Sequence, residues 1–155
     1  AGAPVRRESG VLLRTDDGAR PWTAAAARRA RGILAPSVGG AELMVEAHGS
    51  EEALLRALVG VVHRYDADML VGWDLRRASI GYLIERANAL KMEPPLLRQL
   101  GRTPTHEGQN ERSRDTWGES VATGIHLTGR VLLNLWRCAK SELKLCSYTL
   151  ENVAA

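Results

Sequence analysis

The sequence predicts an α/β fold, and three observations carry that prediction. Short apolar runs of strand length alternate with longer segments of helical period. The central run, Met69-Leu70-Val71-Gly72-Trp73, is apolar almost throughout, as expected of a strand covered on both faces. The 155 residues are 45% hydrophobic and 25% charged, which suits one ordinary globular domain and leaves little room for a second. This composition excludes a disordered chain, a collagen-like repeat and a disulfide-stapled miniprotein. No segment approaches the ~20 apolar residues that would span a bilayer.

Residues 1–40, rich in Ala, Arg, Gly and Pro, form a poorly defined N-terminal segment; residues 41–155 form the domain proper. Val11-Leu12-Leu13 predicts a short strand closed by the Asp17-Gly18 turn. Thr23 predicts the cap of a short helix over 24–31, stopped by Gly32. This stretch is expected to be loosely ordered and holds no evident chemistry. Leu43-Met44-Val45 predicts a strand, broken by Gly49-Ser50. Ser50 then caps a helix that carries Glu51 and Glu52 in its first turn and His63 and Arg64 at its carbonyl end, as the helix dipole prefers. Leu54, Leu58, Val61 and Val62 supply its apolar stripe. Tyr65-Asp66-Ala67-Asp68 predicts a turn, followed by the central strand over 69–73. Beyond a link at 74–78, Ser79 is expected to cap a second helix with Ile80, Leu83, Ile84 and Ala87 on one face. Pro94-Pro95 ends helix by about residue 93.

Residues 98–124 are polar and turn-rich, and predict a long surface loop. Residues 125–134 predict one or two strands, with Gly129-Arg130 as a turn or bulge. A helix over about 135–143 follows, and Tyr148 to Val153 open another. The chain starts at Ala1 without an initiator methionine or secretory leader, and its last helix stops as it begins. Both features lead us to expect a piece of something longer.

Net charge is +3, and 18 of the 21 cations are arginine. Such a balance permits contact with nucleic acid without requiring it. The nearest approach to a basic stripe, Arg28-Arg29-Ala30-Arg31, reads as a solvated helix face. Cys138 and Cys146 fit no zinc spacing and read as two reduced thiols of an intracellular protein. His48, His63, His106 and His126 are scattered, with no pair at metal-ligand spacing. No phosphate-binding glycine motif occurs. Ser79 lacks the G-x-S-x-G turn of a serine nucleophile. Trp73 and Trp136 lie in apolar patterns and read as core, whereas Trp117 lies in the polar loop and is a candidate base-stacking residue. Arg76 and Arg77, following the central strand, are candidates for contact with a DNA backbone.

Two blocks are specific. Tyr65-Asp66-Ala67-Asp68-Met69-Leu70-Val71-Gly72-Trp73-Asp74, continuing through Ser79-Ile80-Gly81-Tyr82-Leu83-Ile84-Glu85-Arg86-Ala87, resembles the second exonuclease motif region of family B DNA polymerases. Gly129-Arg130-Val131-Leu132-Leu133-Asn134-Leu135-Trp136-Arg137, with Lys144-Leu145-Cys146-Ser147-Tyr148-Thr149-Leu150-Glu151-Asn152-Val153 after it, resembles a later stretch of the same family in the same order. The likeness covers roughly residues 42–153 and extends to the family's translesion branch through Gly72-Trp73-Asp74, Ser79, Gly81 and the Leu133-Asn134-Leu135-Trp136-Arg137 run, while Arg102-Thr103-Pro104 and Thr123-Gly124-Ile125-His126 resemble its members of plant and algal type.

This resemblance implies a partial RNase H-like, 3′–5′ exonuclease-like domain, with a mixed sheet and flanking helices. For the full-length protein it implies DNA-directed DNA synthesis past damaged bases in the nucleus, with Mg²⁺ and a 4Fe–4S cluster held outside this chain. The implied partners are a DNA primer-template and polymerase accessory subunits, with no membrane.

It also implies where hydrolysis should reside. Exonucleases of this type hold two divalent metals with four carboxylates. The family's second-motif Asp is Ser79 here, the aromatic before it is Ala78, and the motif's Asn is Asp74. A further family Asp is Asn134. The family's D-x-E and Y-x-x-x-D patterns occur nowhere in the chain. Asp66 and Asp68 stand in a structural turn of the family rather than at its metals. We therefore expect a degenerate exonuclease motif at Asp74, Ala78 and Ser79, without catalytic residues and without a metal. The rivals are an active proofreading exonuclease whose missing acids lie elsewhere, and a helical interaction module without the strand at 69–73.

Overall fold

The computed structural model describes residues 8–15, 23–34, 36, 43–103 and 125–154. Its element order is β1 (Ser9–Arg14), α1 (Ala24–Leu34), β2 (Leu43–His48), α2 (Glu51–Tyr65), β3 (Met69–Gly72), α3 (Ile80–Ala89), α4 (Leu96–Leu100), β4 (Val131–Asn134), α5 (Leu135–Glu142) and α6 (Leu150–Ala154). The α/β class is as the sequence predicts. The chain divides into two compact units, Ala1–Leu58 and Val59–Ala155.

The first unit is a parallel pair with a helical crossover. β1 runs parallel to β2 from Ser9↔Leu43 to Arg14↔His48, and the Thr15 backbone N–H carries the ladder one step further to the His48 carbonyl at 2.9 Å. Parallel neighbours need a long connection, and α1 lies in it and packs on β2. Thr23 caps α1 as expected, its hydroxyl accepting from the Ala26 N–H at 3.2 Å. The helix does not stop at Gly32; it continues to Leu34. One glycine costs about 1 kcal/mol in a helix, which is not enough to end it. Leu43 and Val45 are buried and Met44 is exposed, the period-2 alternation of a strand. Ser50 caps α2 by accepting from the Ala53 N–H at 3.1 Å. Glu52 then pairs with Arg56 one turn on, at 2.7 Å.

The second unit is built on β3 and β4, which run parallel from Met69↔Val131 to Gly72↔Asn134. The Val131 N–H donates to the Asp68 carbonyl at one end, and the Trp136 N–H to the Trp73 carbonyl at the other. The strand expected at 69–73 is therefore present, following α2 and preceding α3. Leu75, Leu96, Leu100 and Leu127 are at most 1% exposed and mark this unit's core.

Three expectations fail here. The central strand is not covered on both faces, since Met69 and Val71 on one face are about half exposed. The start of the polar 98–124 stretch is no surface loop: α4 occupies Leu96–Leu100 and buries both terminal leucines. Pro95 sits at its N-cap, and Leu96 and Leu100 are one turn apart, so the helix was written in an i, i+4 pair too short to stand out. Residues 104–124, the rest of that stretch, lie outside the described residues, as does the Asp17-Gly18 turn. Strand structure also does not start at residue 125. It begins at Val131, after a turn centred on Thr128 and Gly129 in which Gly129 takes φ +78° and the Arg130 N–H donates to the Leu127 carbonyl at 3.2 Å.

Charge ties the amino ends of β3 and β4 together. The Arg130 side chain is fully buried; its Nε donates to the Leu100 carbonyl at 3.0 Å and its Nη1 to the Ala67 carbonyl. Its Nη2 lies 3.0 Å from Asp66 Oδ1, without hydrogen-bond alignment, so that contact is ionic. Arg102 closes the group from outside: its Nε donates to Asp66 Oδ1 at 2.8 Å, and its Nη1 lies 2.6 Å from Asp68 Oδ1. The hydrogen bond from Arg102, helped by Arg130, holds the Asp66 carboxyl below the usual aspartate range. Among the described residues no helix is long and apolar enough to cross a membrane.

Arg130→Met should destabilise the chain by about 2–4 kcal/mol in urea melts, since two carbonyls lose their donor inside the protein. Asp66, with its folded pKa lowered, adds stability that is complete above the unfolded aspartate range and disappears as pH falls through the folded value. Asp66→Asn should therefore lower Tm at neutral pH, and the gap to wild type should close as the solution is acidified.

Candidate functional site

In parallel α/β sheets the usable crevice lies outside the carboxyl ends of the strands. In the second unit those ends are Gly72 and Asn134, which are register partners. Each strand runs almost at once into a helix there. After β3 the link at 73–79 leads into α3; after β4, α5 starts at the next residue.

The link is a tight turn built around one carboxylate. Asp74 Oδ1 accepts from the N–H groups of Arg76 and Arg77, both at a long 3.3 Å. The Asp74 carbonyl accepts from the Ala78 N–H at 3.1 Å. Leu75 inserts beneath with no exposed surface, and its carbonyl takes the Gly81 N–H at 2.7 Å. The turn folds back so closely that a Cβ on Gly81 would stand 2.1 Å from the Arg76 carbonyl oxygen. A Cβ on Gly72 would stand 2.5 Å from a Leu75 methyl and 2.8 Å from Ser79 Oγ. The two glycines are thus spatial requirements of the turn, and Gly72, Leu75 and Gly81 are the residues whose role the sequence did not disclose. The available signal was a glycine closing an apolar run and a second inside a helix.

Ser79 occupies the N-cap position of α3, but its hydroxyl makes no capping bond, contrary to expectation. The side chain sits over Gly72 instead, and the Leu75 carbonyl already takes the Gly81 N–H. Asn134 is only 7% exposed and caps α5, its Oδ1 accepting from the Arg137 N–H at 3.4 Å. Ala78, Arg76 and Arg77 are exposed on the turn. Trp117 lies outside the described residues. Trp136 is half-buried and committed, donating from Nε1 to the Tyr148 carbonyl at 3.1 Å, with the Lys140 ammonium 5.0 Å from its ring centre. His63 contacts the Gln99 carbonyl through Nε2 at 2.6 Å.

The carboxyl ends therefore present one carboxylate turned to backbone N–H groups, one alcohol, one amide and two exposed guanidinium groups. A pair of divalent cations needs several carboxylate oxygens to offset its charge. These residues do not fit that demand. Among the described residues no three His, Cys, Asp or Glu side chains converge. The Asp66 and Asp68 carboxylates lie at the opposite, amino end of β3 and face Arg102 and Arg130.

The chain matches the family described as DNA polymerase family B, exonuclease domain, over residues 34–153. It is 38% identical over 106 residues to the human DNA polymerase zeta catalytic subunit, covering 67% of this chain and 3% of that protein. It is 33% identical over 130 residues to the Arabidopsis thaliana DNA polymerase zeta catalytic subunit, covering 67% of this chain and 7% of that one. It is also 33% identical over 111 residues to the Dictyostelium discoideum DNA polymerase delta catalytic subunit, covering 70% of this chain and 10% of that one. The chain thus spans a tenth or less of the length of these relatives.

The glycine geometry gives a paired expectation. Gly81→Ala should destabilise by about 2–3 kcal/mol, because the Arg76 backbone must move to admit a methyl group. Gly60→Ala, in α2 with nothing within 4 Å of its Cβ position, should stabilise by about 0.5–1 kcal/mol. Thermal melts of the two variants check both signs.

Proposed function

The chain belongs to the exonuclease-domain family of family B DNA polymerases, and from that membership we propose that it is a non-hydrolysing scaffold form of the domain, part of a polymerase zeta-like translesion enzyme. One observation carries the reading. At the carboxyl end of β3, where the family's second motif has a carboxylate, stands the Ser79 hydroxyl, and the acid of the same turn, Asp74, is turned to the amides of that turn. A neutral alcohol cannot replace a carboxylate in offsetting a dication's charge. Asn134 removes a second charge at the neighbouring strand end.

Such a domain contributes shape rather than cleavage. The turn at 73–79 is closely packed, and its one carboxylate, Asp74, is spent on backbone N–H groups. Arg76, Arg77 and Trp117 are the residues through which the domain would touch a DNA strand in passing. In the whole protein, DNA synthesis would use Mg²⁺ at carboxylates outside this chain, and a 4Fe–4S cluster and accessory subunits would complete a nuclear enzyme. A polymerase that extends distorted primer ends gains from having no nuclease beside them.

The test is incubation of the full chain with 5′-labelled single-stranded DNA and Mg²⁺ or Mn²⁺. The expected result is a strand of unchanged length, both for the chain as it stands and for Ser79→Asp, which restores one carboxylate where a pair of cations needs several. Shortening of the strand that Asp74→Ala abolishes would overturn the proposal and restore an active proofreading domain.

A further inference from the structure

The arginines of α1 serve neither the packing of the first unit nor the site on the second. We propose that α1 is a DNA-backbone contact, in which Arg28, Arg29 and Arg31 bind phosphates through their guanidinium groups. The choice of DNA as the source of the phosphates rests on the family reading above; the phosphate chemistry does not.

The helix is two-faced by position. At about 100° per residue, the three arginines fan over about 160° of its circumference. All three are exposed, while Ala26, Ala27, Ala30 and Leu34, on the other side, are half-buried. α1 packs on β2, so this basic face is carried on a braced element. No acid occurs anywhere in α1, and among the described residues none of the three side chains has an ion-pair partner. Like charges three residues apart repel, and nothing on the helix offsets that cost.

Charge is also partitioned along the chain. Residues 1–34 hold seven arginines against three acids, a balance of +4; residues 35–155 hold fourteen cations against fifteen acids, a balance of −1. The excess positive charge therefore lies entirely before the region of the family match, which begins at residue 34. All seven cations in that segment are arginine, whose planar fork matches phosphate better than a lysine ammonium does. An anionic membrane is the weaker partner for this face. The helix shows one large exposed apolar side chain, Ile33 at 69%, and its alanine face is already occupied.

The experiment is fluorescence anisotropy of the full chain with a labelled duplex and a labelled single strand across about 50–200 mM salt. Each phosphate contact to a duplex adds about 0.9 to the slope of log K against log salt, and about 0.7 for a single strand. The triple variant Arg28→Gln, Arg29→Gln, Arg31→Gln should reduce the duplex slope by about 2.7, equivalent to about 40-fold less salt sensitivity over that range. Arg76→Gln with Arg77→Gln should leave most of the slope in place. If the triple variant does not fold, Arg29→Gln alone should remove about 0.9. Unchanged slopes, or no DNA binding by the parent chain, would overturn the proposal. So would loss of binding to phosphatidylserine vesicles in the triple variant with DNA binding intact. Because the readout is a salt slope, its failure is distinct from failure of the scaffold reading, which appears as a shortened strand.

Discussion

A guanidinium with no exposed surface must find partners, and the second unit is arranged around that demand. Arg130 draws the carbonyls of Leu100 and Ala67 and the carboxylate of Asp66 to one point. Those partners come from the end of α4 and from the turn before β3, and Arg130 itself precedes β4 directly. A single buried side chain thus joins segments more than sixty residues apart in sequence, which sets the amino ends of β3 and β4 beside each other. Removing one member of such a group costs more than the group contributes as a whole, because the others stay buried without partners. Arg102 adds a second guanidinium from the solvent side and neutralises Asp68 as well. An acidic D-x-D that could be taken for a metal ligand pair is in this way an ionic clasp.

At the other end of the same strands the constraint is space. Gly72 and Gly81 let the backbone at Arg76 and the side chain of Leu75 close onto the strand end. The packing leaves Asp74 as the cap of its own turn and directs the Ser79 hydroxyl over the strand. Backbone N–H groups that need an acceptor take the one carboxylate available, and that use competes with any cation. The scaffold reading follows from this competition together with the neutral groups at Ser79 and Asn134. The two ends of β3 thus differ in kind: charge fastens the amino end, and close contact shapes the carboxyl end.

The basic face of α1 belongs to neither end. It lies on a crossover helix of the first unit, before the region of family likeness, and carries the charge that the rest of the chain lacks. Nucleic-acid affinity from such a face would be electrostatic and indifferent to sequence.

Much of this was legible in the residues themselves. Apolar runs located β2 and β3, Thr23 and Ser50 announced the helices they cap, and the order of motifs gave the family and the positions of Asp74, Ser79 and Asn134. These are local signals, set by period and by the nearest hydrogen-bond donor, so a linear reading captures them. The buried role of Arg130, the Arg102 clasp and the clearance at Gly81 were not legible, because each depends on a partner brought close only when distant segments pack. The same holds for the Ser79 hydroxyl: its type is written in the chain, but whether it caps a helix or lies over Gly72 depends on which neighbours the fold supplies. What the sequence determined was which groups are charged and which elements form; what the tertiary structure decided was which groups meet, since burial and distance set the strength of every polar contact among them.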